Sequence, residues 1–297
     1  MTYSIIARDT KTGHMGVAVQ TFNMATGTWV PWAEGGVGAV ATQALAERSY
    51  GPLGLGLIRG GKTAQETLTA LLAADPKREF RQVSIIDHKG NIATHTGNRC
   101  FPEAGSFAGE SFCTQANMMA RSTVWGAMAD AYQATDGDLA DRLLAALDAA
   151  QAEGGDVRGK QTAALLVVDS KWTPIPLVDL RVDHHPEPLV ELRRLLRLHR
   201  AYMAEYTVCD YVEVGDLETA YEMLNQIEVW APDEPYLQYL RAMHLAGGLN
   251  RWNEALEILR PLIQTSPVWK EYLRREATVD NFGCPGLGTR LLEALDS

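Results

Sequence analysis

The chain lacks most features that would assign it at once to a membrane, metal or nucleotide class. No apolar run in its 297 residues approaches the ~20 needed to cross a bilayer. Its opening residues carry neither a basic n-region nor an apolar h-region of sufficient length, so no secretory signal is expected. Cysteine is scarce. Cys100, Cys113, Cys209 and Cys284 lie far apart without a CxxC pair, which argues against a disulfide or zinc framework and for reduced thiols in the cytoplasm. Positive charge is in the minority, with 27 Lys and Arg against 37 Asp and Glu and a net charge of -10. Nucleic acid and anionic membrane surfaces are therefore poor partners. The densest basic cluster, Arg193, Arg194, Arg197 and Arg200, alternates with leucines as the wet face of a helix does.

Catalytic and cofactor motifs are equally sparse. GxGxxG and GxSxG are absent, no Gly-Lys-Ser/Thr is read in P-loop spacing, and Gly61-Lys62-Thr63 is assigned to the start of a helix, not to a phosphate loop. His184 and His185 are adjacent, so on extended chain they point to opposite faces, and no second ligand cluster accompanies them. No metal and no organic cofactor is expected.

What is present is an ordinary globular composition, 46% hydrophobic and 22% charged, in a chain long enough for one large or two modest domains. The opening stretch organises the first of these. Thr2-Tyr-Ser-Ile-Ile-Ala-Arg-Asp, a glycine turn and Gly16-Val-Ala-Val-Gln-Thr-Phe read as a strand, a tight turn and a returning strand. Gly36 to Gln43 reads as a third strand. Leu53, Leu55, Leu57 and Ile58 then pack a short helix. Thr63, with Glu66 three residues on, is a capping box that opens a helix over 64–74. A hairpin follows over 80–96, then a Gly-rich loop, a strand over 111–117, helices over 122–135 and 139–153, a buried strand over 162–169 and a last strand over 174–183. Segregated strands and helices predict an α+β layered domain. From 189 onward strands cease. Gly215-Asp-Leu-Glu-Thr-Ala-Tyr-Glu-Met-Leu224 is echoed by Asn250-Arg-Trp-Asn-Glu-Ala-Leu-Glu-Ile-Leu259, a spacing of 255 − 220 = 35 for the shared alanine. That period is tetratricopeptide-like, and stacked helix pairs of this kind build partner-binding surfaces. Two units fall short of the three usually needed for independent stability, so the tail is expected to dock on the first domain or on another copy of the chain, and a homo-oligomer is expected. The stretch 281–288 reads as a turn-rich linker into a terminal helix. The domain expectation is 1–188 and 189–297.

Chemistry concentrates at Thr2. Removal of Met1 would leave a hydroxyl nucleophile and a free amine on one residue at the mouth of a sheet, the minimum for a hydrolase that uses its N-terminal residue as both nucleophile and base. Asn117, beside Gln115, is a candidate oxyanion donor through its side-chain amide. In Gly154-Gly-Asp156-Val-Arg158-Gly-Lys160-Gln161, an acid, two bases and an amide crowd the entry to a buried strand. Asp156 is a candidate for orienting the terminus, and Arg158 for pairing with a carboxylate through its planar fork. Gln43 and Gln161 are candidate substrate-binding amides.

Seven blocks carry a resemblance: Thr2-Tyr-Ser-Ile-Ile-Ala-Arg-Asp, Gly16-Val-Ala-Val, Val37-Gly-Ala-Val-Ala-Thr-Gln43, Tyr50-Gly-Pro, Thr96-Gly, Gly154-Gly-Asp-Val-Arg-Gly-Lys-Gln161 and Asp179-Leu-Arg-Val-Asp-His184. Together, over residues 1 to 190, they resemble the DUF1028 proteins, which look like members of the Ntn-hydrolase superfamily. The resemblance implies a four-layer αββα sandwich similar to a proteasome β-subunit. It also implies that the helical tail matches an extension labelled peptidoglycan-binding. Proteasome-like enzymes place a Lys on the third strand and an Asp at the end of the second. Here the second strand ends in Gln20-Thr21 and the third carries no Lys, which leaves Asp156, Arg158 or Lys160 as candidate substitutes. The expected function is hydrolysis of a small amide or peptide-like substrate. The alternative is a non-catalytic binding module whose helical tail takes a protein, a peptide or a peptidoglycan fragment.

Overall fold

The computed structural model describes residues 2–279 and 284–296. Met1 and part of the expected linker, 281–283, lie outside the described residues. The chain divides into two compact units, one up to Arg194 and one from Leu195.

The first unit holds two antiparallel sheets. The strands are β1 (Thr2–Arg8), β2 (Met15–Thr21), β3 (Pro31–Glu34), β4 (Gly38–Ala44), β5 (Arg81–Asp87), β6 (Ile92–Thr96), β7 (Gly105–Gly109), β8 (Phe112–Asn117), β9 (Thr162–Val168) and β10 (Val178–Val182). The larger sheet has the order β10-β9-β2-β1-β8-β7 and the smaller β3-β4-β5-β6. Every residue of β2 is buried, as is every residue of β1 except Arg8. A strand covered on both faces cannot alternate apolar with polar, which is why both read as nearly continuous apolar runs. On β1, Ile6 turns toward the smaller sheet and packs with Val17, Val19, Ala39, Ala41, Ile86 and Cys113. The turn into β2 is set by Asp9, whose carboxylate accepts the backbone N–H of Lys11 at 2.7 Å and of Thr12 at 3.0 Å.

Helices cover the outer faces. α1 (Tyr50–Arg59) and α2 (Ala64–Ala74) lie on the smaller sheet, where Leu55, Ile58, Leu68 and Leu71 meet Val40, Val83 and Ile85. α3 (Val124–Ala134) and α4 (Leu139–Ala152) cover the larger sheet. Gly16 is the close approach there: a Cβ on it would stand 2.7 Å from Leu143 Cδ1. The layers therefore run helix, sheet, sheet, helix. α2 starts on the expected capping box, with Thr63 and Glu66 exchanging bonds.

Several expectations are corrected. The stretch read as the third strand is the fourth, because the short edge strand β3 precedes it. The Gly-rich loop after the hairpin contains β7, also at an edge. Leu53 is 56% exposed and does not pack α1. The spacing Gly56-Leu-Ile-Arg-Gly-Gly-Lys-Thr63 does fit GxxxxGK[ST]. A P-loop, however, leaves a strand and opens into a helix, whereas these residues link the end of α1 to the cap of α2.

The second unit is helical. α5 (Pro188–Val214) crosses the division between units, and α6 (Leu217–Trp230), α7 (Pro235–Gly247), α8 (Trp252–Thr265), α9 (Val268–Glu276) and α10 (Leu287–Asp296) follow. The starts of α6 and α8 are 252 − 217 = 35 residues apart. Ala220 and Ala255, at equivalent places, are both fully buried in one core with Leu224, Tyr239 and Leu259. Among the described residues no helix is long and apolar enough to cross a membrane.

Candidate functional site

Residue 2 opens an interior strand. Thr2 is in register with Thr21 of β2 on one side and with Asn117 of β8 on the other. It is 5% exposed, and its hydroxyl hydrogen-bonds that of Thr21 at 3.1 Å. Its carbonyl accepts from Gln43 Nε2 at 3.1 Å and from Asn117 Nδ2 at 3.5 Å. Backbone and side chain of this residue are thus both held.

Behind it, between the sheets, lies a layer of buried amides and hydroxyls. Gln82 is its hub. Gln82 Oε1 accepts from Gln43 Nε2 at 2.7 Å and from Asn117 Nδ2 at 2.9 Å. Gln82 Nε2 reaches Thr96 Oγ1 and the Ala116 carbonyl, each at 2.9 Å, and the Gly105 carbonyl at 3.1 Å. The Ser4 hydroxyl donates to Gln43 Oε1 at 2.6 Å and accepts from Gln115 Nε2 at 3.2 Å. Such a layer is stable only when most of its members are bonded, because each buried orphan costs about 1–3 kcal/mol.

In front of Thr2 is a small cleft of about 50 Å³ whose lining includes Thr2, Thr21, Asn23, Trp29, Gln43 and Arg158. Arg158 is braced on Asp156 by two bonds, Nε to Oδ1 at 3.0 Å and Nη2 to Oδ2 at 2.7 Å. The Asp156 carboxylate also accepts the backbone N–H of Phe22 at 3.2 Å and of Arg158 at 3.0 Å. Its side chain is fully buried, whereas that of Arg158 is 28% exposed. The fork therefore hands a fixed guanidinium to the cleft. The loop that carries it requires glycine at Gly155 (φ 58) and Gly159 (φ 111). Nearby, the Arg48 guanidinium lies 4.7 Å over the Trp29 ring. Among the described residues with positive φ other than glycine, Ala25, Ala44 and Met118 adjoin this region, and Ala44 lines the cleft itself. Sparsely populated backbone of this kind collects at functional sites. On the opposite face of β1, burial first and then the charges of Asp148 and Asp156 push the Tyr3 hydroxyl well above its ordinary range, so it stays protonated and donates to Gln151 Oε1 at 3.1 Å.

The model for the "Family of unknown function (DUF1028)" matches residues 2–192. The chain belongs to the DUF1028 family. Among solved structures, a DUF1028 protein from Silicibacter pomeroyi is 34% identical, with a TM-score of 0.60 over 66% of this chain and 87% of that one. Anbu (ancestral beta-subunit) from Yersinia bercovieri aligns at 10% identity and a TM-score of 0.34, over 65% of this chain and 91% of that one. No functionally curated protein matches.

In this DUF1028 chain the structure brings Thr2, Gln43 and Arg158 to one cleft, with Asp156 directly behind Arg158. Asn117 lies behind residue 2, its amide directed to Gln82 and to the carbonyl of Thr2. Gln161 is not part of the lining: its amide bonds His184 Nδ1 at 3.1 Å. Lys160 pairs with Glu187. Sequence reasoning missed Gln82, Ser4 and Thr21. The available sign was weak: Gln82 stands beside the apolar Val83, Ile85 and Ile86 in a strand that is buried along its whole length, where an amide has no inexpensive place. Among the described residues, no group of three His, Cys, Asp or Glu side chains is placed to hold a metal ion.

Proposed function

We propose that this unit is an Ntn-hydrolase-like sandwich and that, once Met1 is removed, Thr2 hydrolyses a small amide or peptide-like substrate. The observation that carries the reading is the placement of Thr2: buried at the first position of an interior strand, bonded through its carbonyl and hydroxyl, and lining a cleft beside an oriented guanidinium. A loose chain terminus needs none of this support.

In this reading the free α-amine takes the proton of Thr2 Oγ1 as the oxygen attacks the substrate carbonyl carbon. The protonated amine then gives that proton to the departing nitrogen as the C–N bond breaks. Water, deprotonated by the same amine, cleaves the resulting ester and restores the hydroxyl. Gln43 and Asn117 position residue 2 by holding its carbonyl. Asn117 is therefore assigned to positioning, because its donors are spent on Thr2 and Gln82. Arg158, set by Asp156, and Asn23 line the mouth and are the groups available to a developing oxyanion or a substrate carboxylate. Thr21 keeps the nucleophile's rotamer through the hydroxyl pair.

The test has two parts. Mass measurement of protein from its native host should show a chain starting at Thr2, and Thr2→Ala should abolish turnover of any amide the native chain cleaves. Turnover that survives Thr2→Ala sinks the mechanism by placing catalysis elsewhere, and a chain that uniformly retains Met1 sinks it in favour of the non-catalytic module.

A further inference from the structure

The second unit contains a pocket of its own, between α5 and α7, of about 650 Å³. Its size lies in the range of small-molecule sites. Three aromatic rings, Tyr202, Tyr206 and Tyr236, contribute to its lining, and so do two carboxylates, Glu205 and Glu213. Leu240 and Met243 supply apolar wall. Among the described residues no lysine or arginine lines it, and His244, a base in the lining, is bonded to Glu205 through Nε2 at 2.9 Å. That pair is buried, with 6% of the His244 side chain and 11% of the Glu205 side chain exposed.

The pocket's electrostatics follow from this lining. Neighbouring groups resist becoming negative. The Cys209 thiol, which also lines the pocket, is pushed up by burial and then by the charges of Glu205 and Asp210. The Tyr202 hydroxyl is raised by burial, by Glu234, by the neighbouring tyrosines and by Glu205. Burial opposes charge of either sign, so the preference rests on the lining: aromatic faces and carboxylates, without a facing Lys or Arg among the described residues, suit a cation with an apolar body. An anion would meet two carboxylates and no guanidinium.

We propose that the α5–α7 pocket binds an organic ammonium group carried on an aliphatic chain, with the cation against Glu205 and the tyrosine rings, Glu213 adding to the negative field from farther along α5, and the chain along Leu240 and Met243. This assignment is independent of the chemistry at Thr2.

The experiment is isothermal titration of the full chain with n-hexylamine, n-hexanol and hexanoate at pH 7 and near-physiological salt. Hexylammonium should bind, and hexanol and hexanoate should bind at least about tenfold more weakly, the loss of one cation–π and one charge contact. Glu213→Gln, at an exposed position, should weaken hexylammonium by about threefold or more, and Glu205→Gln by about tenfold. Bound hexylammonium should also protect Cys209 from alkylation. Because Glu205→Gln removes a buried charge, its melting temperature is compared with that of the parent chain; if it does not fold, Glu213→Gln and the Cys209 protection decide. Equal affinity for hexanol or hexanoate, hexylammonium binding that survives the glutamate substitutions, or no heat up to about 10 mM ligand (a Kd too weak for a built site) would each overturn the assignment.

Discussion

The two ends of the space between the sheets differ in chemistry although the same strands build both. At one end β1 offers Ile6, β2 Val17 and Val19, β4 Ala39, β5 Ile86 and β8 Cys113, an apolar core. At the other end the same faces of the same strands offer Thr2 and Ser4, Thr21, Gln43, Gln82, and Gln115 with Asn117, all of them buried. Each strand changes from apolar to polar in the direction of residue 2. The polar end is not a stability device. A net hydrogen bond contributes only about 0.5–1.5 kcal/mol, less than a well-packed aliphatic side chain in the same place. It also leaves Gln115 Oε1 and Asn117 Oδ1 without partners among the described residues. What the polar end provides is position. It fixes the backbone of Thr2, which the apolar end could not do, because dispersion contacts have no direction.

The largest stability effect is expected at the apolar end. Ile86→Ala should cost about 2–5 kcal/mol in urea unfolding, since Ile86 is fully buried and its neighbours belong to rigid strands. Turnover per folded molecule, where an activity is found, should change little. A variant that lost activity while keeping stability would merge the two ends into one functional unit and break the comparison.

At the polar end the balance reverses. Gln82→Leu removes the acceptor shared by Gln43 and Asn117 and the donor to the Ala116 carbonyl. It should cost about 1–3 kcal/mol, because the orphaned partners are partly offset by the apolar replacement. Its effect on turnover should exceed its effect on stability, through the loosened carbonyl of Thr2. If Gln82→Leu is stabilising and fully active, the amide layer does not position residue 2.

How far the sequence showed this arrangement depends on how local each feature is. The hairpin, the Thr63 cap and the interior strands were legible, because alternation, turn residues and capping partners lie within a few positions of one another. β3 and β7 were not. Both are edge strands with one partner each, short and with little β-branched content, so their pairing depends on the neighbouring strand and not on their own residues. The candidate residues split the same way. Thr2 and the Asp156–Arg158 fork could be read from neighbouring residues. Gln82 could not, because its role arises when two sheets place it opposite Gln43 and Asn117, partners that are 39 and 35 positions away in the chain. Leu53 shows the limit for helices: leucine content announced a packed helix, but only the observed register told which leucines face the sheet.

The smallest effect separates neutral from charged burial within the same unit. The polar end consists of amides and hydroxyls, none of which titrates in the acid range, so the cost of Gln82→Leu should be the same at pH 7 and pH 4. On the outer side of the smaller sheet, Asp75 is different. Its carboxylate accepts from Arg81 Nε at 2.7 Å and from the Tyr50 hydroxyl at 3.0 Å. The Arg81 bond is the main reason its pKa lies below the ordinary carboxylate value. A depressed carboxylate contributes stability that is fully present above its unfolded value, near 4, and is lost as the pH falls through the lower folded value. Asp75→Asn should therefore cost about 1 kcal/mol at pH 7, limited because Arg81 keeps Glu47 and the Leu45 carbonyl as partners, and the difference from the parent chain should shrink below pH 4. Urea unfolding of both variants at the two pH values checks this. A cost for Asp75→Asn that stays constant into acid would mean that Arg81 is anchored by Glu47 and Leu45 alone. A cost for Gln82→Leu that shrinks in acid would place a titrating group inside the amide layer, and Asp156, behind Arg158, would then be the first residue to replace.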